Sequence, residues 1–141
     1  MRERDSRGNG AMLKTYFAVM CGGAFGTALR FWLSGFLSSR YGETFPVGTL
    51  VVNISGCFVI GLFNTLTGPD GAILVSSLTR QVVMIGILGG YTTFSSFSLQ
   101  TLNLLQGGEW FRACMNIFLS VLWCMVGVFL GHLLASILNQ R

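Results

Sequence analysis

GGYTTFSSFS, residues 89–98, sets two helix-weakening glycines and then five hydroxyl side chains in the middle of a run without charge. That run, 81–105, contains no Asp, Glu, Lys or Arg, and a helix crossing the hydrocarbon core needs about 20 mostly apolar residues. Backbone that leaves helical geometry at membrane depth is tolerated only where protein or a water-filled cavity satisfies its polar groups. A third helix broken at its centre would therefore mark a site. A glycine kink whose hydroxyls bond their own backbone explains the stretch equally well when it is taken alone.

Outward from this stretch, charges punctuate the chain. Runs 47–66 and 113–138 are also free of charged residues, and 13–37 carries only Lys14 and Arg30. Between the runs lie RYGETFP, the Gly-Pro-Asp-Gly sequence at 68–71 and QGGEW, all with turn chemistry. The reading is an all-α integral membrane protein with spans at about 13–37, 47–66, 81–105 and 113–138, in one transmembrane domain, 12–141. Composition agrees: 52% of the 141 residues are hydrophobic and 10% charged, against about 25% charged in soluble domains. Segment 1–11 alternates acidic and basic residues and reads as a polar, disordered tail. The first apolar run continues through Phe31, Trp32 and Leu33 rather than ending in a small-residue cleavage site, so it stays in the membrane. Cys21, Cys57, Cys114 and Cys124 each lie in an apolar run without Cys-x-x-Cys spacing, and read as small buried hydrophobes rather than disulfide partners or metal ligands.

The glycines at 22, 23 and 26, and at 48, 56 and 61, suit close helix packing, which membrane proteins achieve with small residues. Orientation is weakly specified. Lys14, Arg80 and Arg141 fall on the side of the termini and Arg40 and Arg112 on the other, a bias too small to fix one topology.

None of the charge-free spans contains a carboxylate. Proton-coupled transporters need a membrane-embedded acid, so a small dual-topology multidrug or cation exporter becomes the weaker alternative, beside a non-transporting scaffold packed through glycine faces. Enzyme chemistry is poorly supplied, since the sole histidine, His132, lies near the end of the fourth span without a nearby acid. Uncharged polar side chains line up instead. Thr49 and Asn53 share a face of the second helix, Asn116 and Ser120 share a face of the fourth, and Thr92, Thr93, Ser95, Ser96 and Ser98 crowd the third. Phe94 and Phe97 sit three apart amid these hydroxyls, which predicts rings turned inward, with electropositive edges that an anion could contact. Arg30 either snorkels to the interface or forms a cationic vestibule.

GGAFGTALR (22–30), GTLVVNISGCFVIG (48–61) and GGYTTFSSFS (89–98) together resemble, in order, the signature stretches of the Fluc (CrcB) fluoride channels. The resemblance implies a fluoride-selective channel in the bacterial inner membrane, not an enzyme, that releases fluoride passively and so protects against its toxicity. It implies an antiparallel, dual-topology homodimer with two pores and a structural sodium ion held by the backbone carbonyls of Gly89 and Thr92. Asn53 would be the pore asparagine and Phe94 and Phe97 the pore phenylalanines. Thr49, Thr93, Ser96, Asn116 and Ser120 would complete the fluoride pathway, with Arg30 at the vestibule. Partners are then a second copy, fluoride and lipid, with no nucleic acid.

Overall fold

The structure is a computed structural model that describes residues 2–42 and 44–140, the side chains of 2–9 and 11 excepted. The tail expected to be disordered at 1–11 is helical backbone from Arg2 on, continuous with the first span, and its side chains, Gly10 apart, lie outside the described ones. The chain is helical throughout: α1 (Arg2–Tyr41), α2 (Val47–Leu66), α3 (Ser77–Gln81), a π-helical stretch (Val82–Leu88), α4 (Gly89–Tyr91), α5 (Phe94–Gln106) and α6 (Trp110–Asn139). Among the described residues, four segments are long and apolar enough to span a membrane, namely Met12–Tyr41, Val47–Leu66, Ser77–Gln106 and Trp110–Asn139, and they enclose the four runs read from the sequence. The chain is a multi-pass membrane protein.

Its burial pattern inverts that of a soluble domain. Large apolar side chains face outward, among them Phe31, Trp110 and Phe111, while the buried apolar set is small and includes Val52, Leu88, Tyr91 and Phe97. Helices are held by backbone approach instead. α2 packs chiefly on α6, and α1 on the third span. A Cβ at Gly26 would collide with the Ile87 carbonyl, and one at Gly131 with the Phe58 carbonyl, so these crossings require glycine. The third glycine group does the same work. A Cβ at Gly86 would stand 2.8 Å from the Val19 carbonyl oxygen, and one at Gly90 would stand 2.5 Å from that of Gly23.

Termini and turns follow local chemistry. The first helix ends at Gly42 (φ 80°) and the third span at Gly107-Gly108 (φ 77° at Gly108), both left-handed positions that favour glycine. In the 68–71 turn the Gly71 N–H donates to the Gly68 carbonyl at 3.0 Å. Arg80 crosses under this loop and donates to the Thr67 carbonyl (2.5 Å) and hydroxyl (2.6 Å) and to Asn64 Oδ1 (2.9 Å). A cation thereby caps the carbonyl end of α2, where the helix dipole is negative.

Candidate functional site

The third span loses helical geometry at two residues, Thr92 (φ −80°, ψ 157°) and Thr93 (φ −152°, ψ 115°), both extended. The glycines expected to form the break lie just before it in helical backbone, where Gly90 lets α1 approach. Asn53 of α2 holds the extended segment. Its Nδ2 donates to the Thr93 carbonyl at 3.0 Å, and the Thr93 N–H donates to its Oδ1 at 2.8 Å. In an uninterrupted helix that N–H would bond the Gly89 carbonyl. The Thr93 hydroxyl meanwhile caps α5 by accepting from the Ser96 N–H at 3.2 Å, which a continuous helix would give to the Thr92 carbonyl. Gly89 and Thr92 are thus two of the carbonyls at the break that lose their helical donors, beside those of Gly90 and Tyr91.

The candidate residues divide between two spaces that meet at Thr93. One is a mainly apolar cleft of about 380 Å³ between α2, the third span and α6, bordered by Asn53, Gly89, Thr92, Thr93, Phe94, Phe97 and Ser120. Asn53 brings to it a single spare donor, because one of the two amide hydrogens is committed to Thr93. The other space is a polar cavity of about 560 Å³ beside α1, bordered by Arg30, Thr49, Thr93 and Ser96. The one ion pair among the described residues joins Arg112 to Glu109, so no described carboxylate neutralises Arg30.

Three expectations are corrected. Phe94 and Phe97 touch, with ring centroids 5.2 Å apart and planes at 52°, yet only Phe97 turns inward. Phe97 is 8% exposed, whereas Phe94, the first residue of α5 directly after the break, is 77% exposed. Asn116 borders neither space. It is 2% exposed and donates to the Thr101 hydroxyl at 2.9 Å, which donates on to the Phe97 carbonyl at 2.8 Å, so it ties α6 to α5. The cysteines are not buried either: Cys21 and Cys114 are exposed, Cys57 and Cys124 half-buried.

Two further polar side chains belong to this region and escaped the sequence reading. Gln100 borders the polar cavity, and its Oε1 is buried without a hydrogen-bond partner among the described residues. Its place three residues beyond Phe97 was the available signal. Tyr91 shares a 2.8 Å hydrogen bond with Ser55, tying the segment before the break to α2. Nothing in the sequence pairs those two.

Residues 17–132 match the family model described as "CrcB-like protein, Camphor Resistance (CrcB)". The chain is similar to a protein of Rhodospirillum rubrum named "Fluoride-specific ion channel FluC", 55% identical over 126 residues, covering 89% of this chain and 98% of that one. Like-named proteins are 55% identical over 128 residues in Opitutus terrae (91% of this chain, 97% of the relative) and 52% identical over 125 in Methylocella silvestris (89% and 95%).

Proposed function

The chain belongs to the CrcB-like family, and from that premise we propose that it is a fluoride channel that lets fluoride leave the cytoplasm passively. The carrying observation is the cleft at the break. It presents the spare Asn53 N–H, the Ser120 hydroxyl and the Phe94–Phe97 ring pair, and its lining includes no charged side chain. An anion there is held by donors and ring edges, which replace hydration without trapping the ion. Arg30 stands in the neighbouring polar cavity and raises the local anion concentration. Thr49 and Ser96 line the approach and Thr93 the junction.

Passive conduction suffices physically. Fluoride enters acidified cells as neutral hydrogen fluoride and ionises at cytoplasmic pH, so the accumulated anion runs downhill through an open path. None of the four spans contains an Asp or Glu for proton coupling, which disfavours an exporter. The membrane is the bacterial inner membrane, where this chemistry arises.

Two copies inserted in opposite directions complete the site. The exposed Phe94 and Gly89 beside the cleft, and the balanced charges at the span ends, support this reading. The freed carbonyls of Gly89 and Thr92 fit a structural sodium ion, since carbonyl oxygens suit a hard cation. Bound there, the ion would supply positive charge that fixes the crossing of the two chains. Purified protein in liposomes should release fluoride, read with a fluoride-selective electrode, and retain chloride; a preparation of folded protein that passes no fluoride would refute the assignment.

A further inference from the structure

Cys57 of α2 and Cys124 of α6 have no role in the pathway just described, yet they border the same cleft as Asn53 and Phe97. They stand on the closely packed seam between α2 and α6. Gly127, three residues along α6 from Cys124, sets that closeness: a Cβ there would stand 3.0 Å from the Ile54 carbonyl oxygen and 3.7 Å from the Cys57 Cβ. Both cysteines are free thiols and half-buried, so they are reachable from the cleft.

Ligand number decides what such a pair can take. Among the described residues no third His, Cys, Asp or Glu joins them, so a structural zinc ion, which takes four ligands, is not provided for. Hard oxygen-seeking cations find the wrong donors. Two thiols bordering one cleft across a close helix seam suit the soft cations that accept linear two-coordination, the class of copper(I), silver(I) and mercury(II). We propose that Cys57 and Cys124 form a two-thiolate site for a soft, two-coordinate cation, opening on the cleft. Each S–H gives its proton to water as its sulfur–metal bond forms, so two protons leave per cation and nothing is oxidised. A cation seated in the cleft wall would place a fixed positive charge where an anion must pass and so arrest flux. That consequence rests on the fluoride reading, whereas the site itself does not.

Mercury(II) is the probe. The full chain carrying Cys21→Ala and Cys114→Ala, so that only the pair remains, is loaded in detergent in the presence of excess glutathione as competing monothiol. One mercury per chain should survive gel filtration, read by metal analysis and by the ultraviolet sulfur-to-mercury charge-transfer band. Changing Cys57 or Cys124 further to Ser should weaken retention at least about 100-fold, the scale by which a second ligand held at high effective concentration strengthens binding. Cys57→Ala and Cys124→Ala serve equally should a serine variant not elute as the parent does. Single variants that keep mercury as well as the pair does, or two mercury ions bound per chain, would overturn the site. In liposomes the loaded pair-retaining protein should stop releasing fluoride, while the serine variants keep their own untreated rates. Tight binding without block would leave the site standing and tell against the cleft as the ion path; loss of binding would tell against the pair alone.

Discussion

Asn53→Ala removes the two hydrogen bonds that hold Thr93 extended, and the structure allows the chain two responses. If Thr93 stays where it is, its N–H and carbonyl are both left without partners, at about 1–3 kcal/mol for each buried group, or about 2–6 kcal/mol together. If instead its N–H returns to the Gly89 carbonyl, one group is satisfied again and the loss falls to about 1–3 kcal/mol. The second response is the cheaper one. It lengthens α4 through the break, turns Phe94 and Phe97 away from their present directions and removes a free carbonyl. An ordinary side-chain hydrogen bond between membrane helices averages about 0.6 kcal/mol, so a loss above about 1 kcal/mol separates a structural hold on the backbone from routine packing. Asn53→Asp divides the roles. It keeps the acceptor for the Thr93 N–H, so part of the stability survives, but it sets a carboxylate beside the ion. Repulsion between unit charges 4 Å apart is about 4 kcal/mol at an effective dielectric constant of 20, so flux should drop more than about 100-fold. Unfolding in detergent followed by circular dichroism, with fluoride efflux measured on the same preparations, provides both readings. Asn53→Ala protein that loses less than about 0.6 kcal/mol and conducts at the native rate would refute the reasoning.

Phe97→Ala should cost about 3–5 kcal/mol as a core truncation, whereas the exposed Phe94 should tolerate Ala in folding; Ile at either position should lower fluoride flux steeply in dimers that elute normally, and native flux in both Ile variants would remove the rings from the path. Gly26→Ala should abolish folded protein in detergent because its Cβ meets the Ile87 carbonyl, while Gly35→Ala, with open space around it, should leave yield and melting unchanged. Arg30→Gln should slow efflux several-fold at low ionic strength and much less at high salt, since a steering field is screened beyond about 10 Å at 0.1 M; a salt-independent loss would mean a packing role. Crosslinking should trap a dimer, labelling from one side should reach only part of the population at either loop, and crystals grown in sodium should show density on the two-fold axis beside Gly89 and Thr92; uniform labelling or an empty axis would count against that assembly.

What the sequence made legible was whatever depends on composition along the chain. The four spans follow from runs without charge, and the glycine packing follows from small residues at helical spacing. The position of the break was displaced by a few residues, from Gly89-Gly90 to Thr92-Thr93. Propensity marks glycine as the weak point, but the outcome is set by a tertiary contact, the amide of Asn53 forty residues upstream competing for the Thr93 backbone. Asn116 misled for a related reason: a polar side chain on an interior face can end on a neighbouring hydroxyl as readily as in a cavity, and only the placement of Thr101 decides. The hydroxyl neighbours of Phe94 argue against a lipid-facing side chain, but they do not by themselves bury it within the chain, where it stands 77% exposed.

The separation of the two spaces bears on how an anion path can be both attractive and fast. A guanidinium beside the narrow, apolar cleft would hold fluoride too well, since charge attraction grows as the surroundings lose water. Arg30 is placed instead in the larger polar cavity, from which, on the proposed reading, it would concentrate anions rather than bind one. The cleft beyond offers uncharged groups, among them one spare amide hydrogen, the Ser120 hydroxyl and ring edges, which on the proposed reading would each be weak enough to release the ion. Thr93 borders both spaces, and its backbone is fixed by Asn53. The residue that supplies the donor inside the cleft is therefore also the one that keeps the junction in place, so donor strength and junction geometry cannot be varied independently at Asn53.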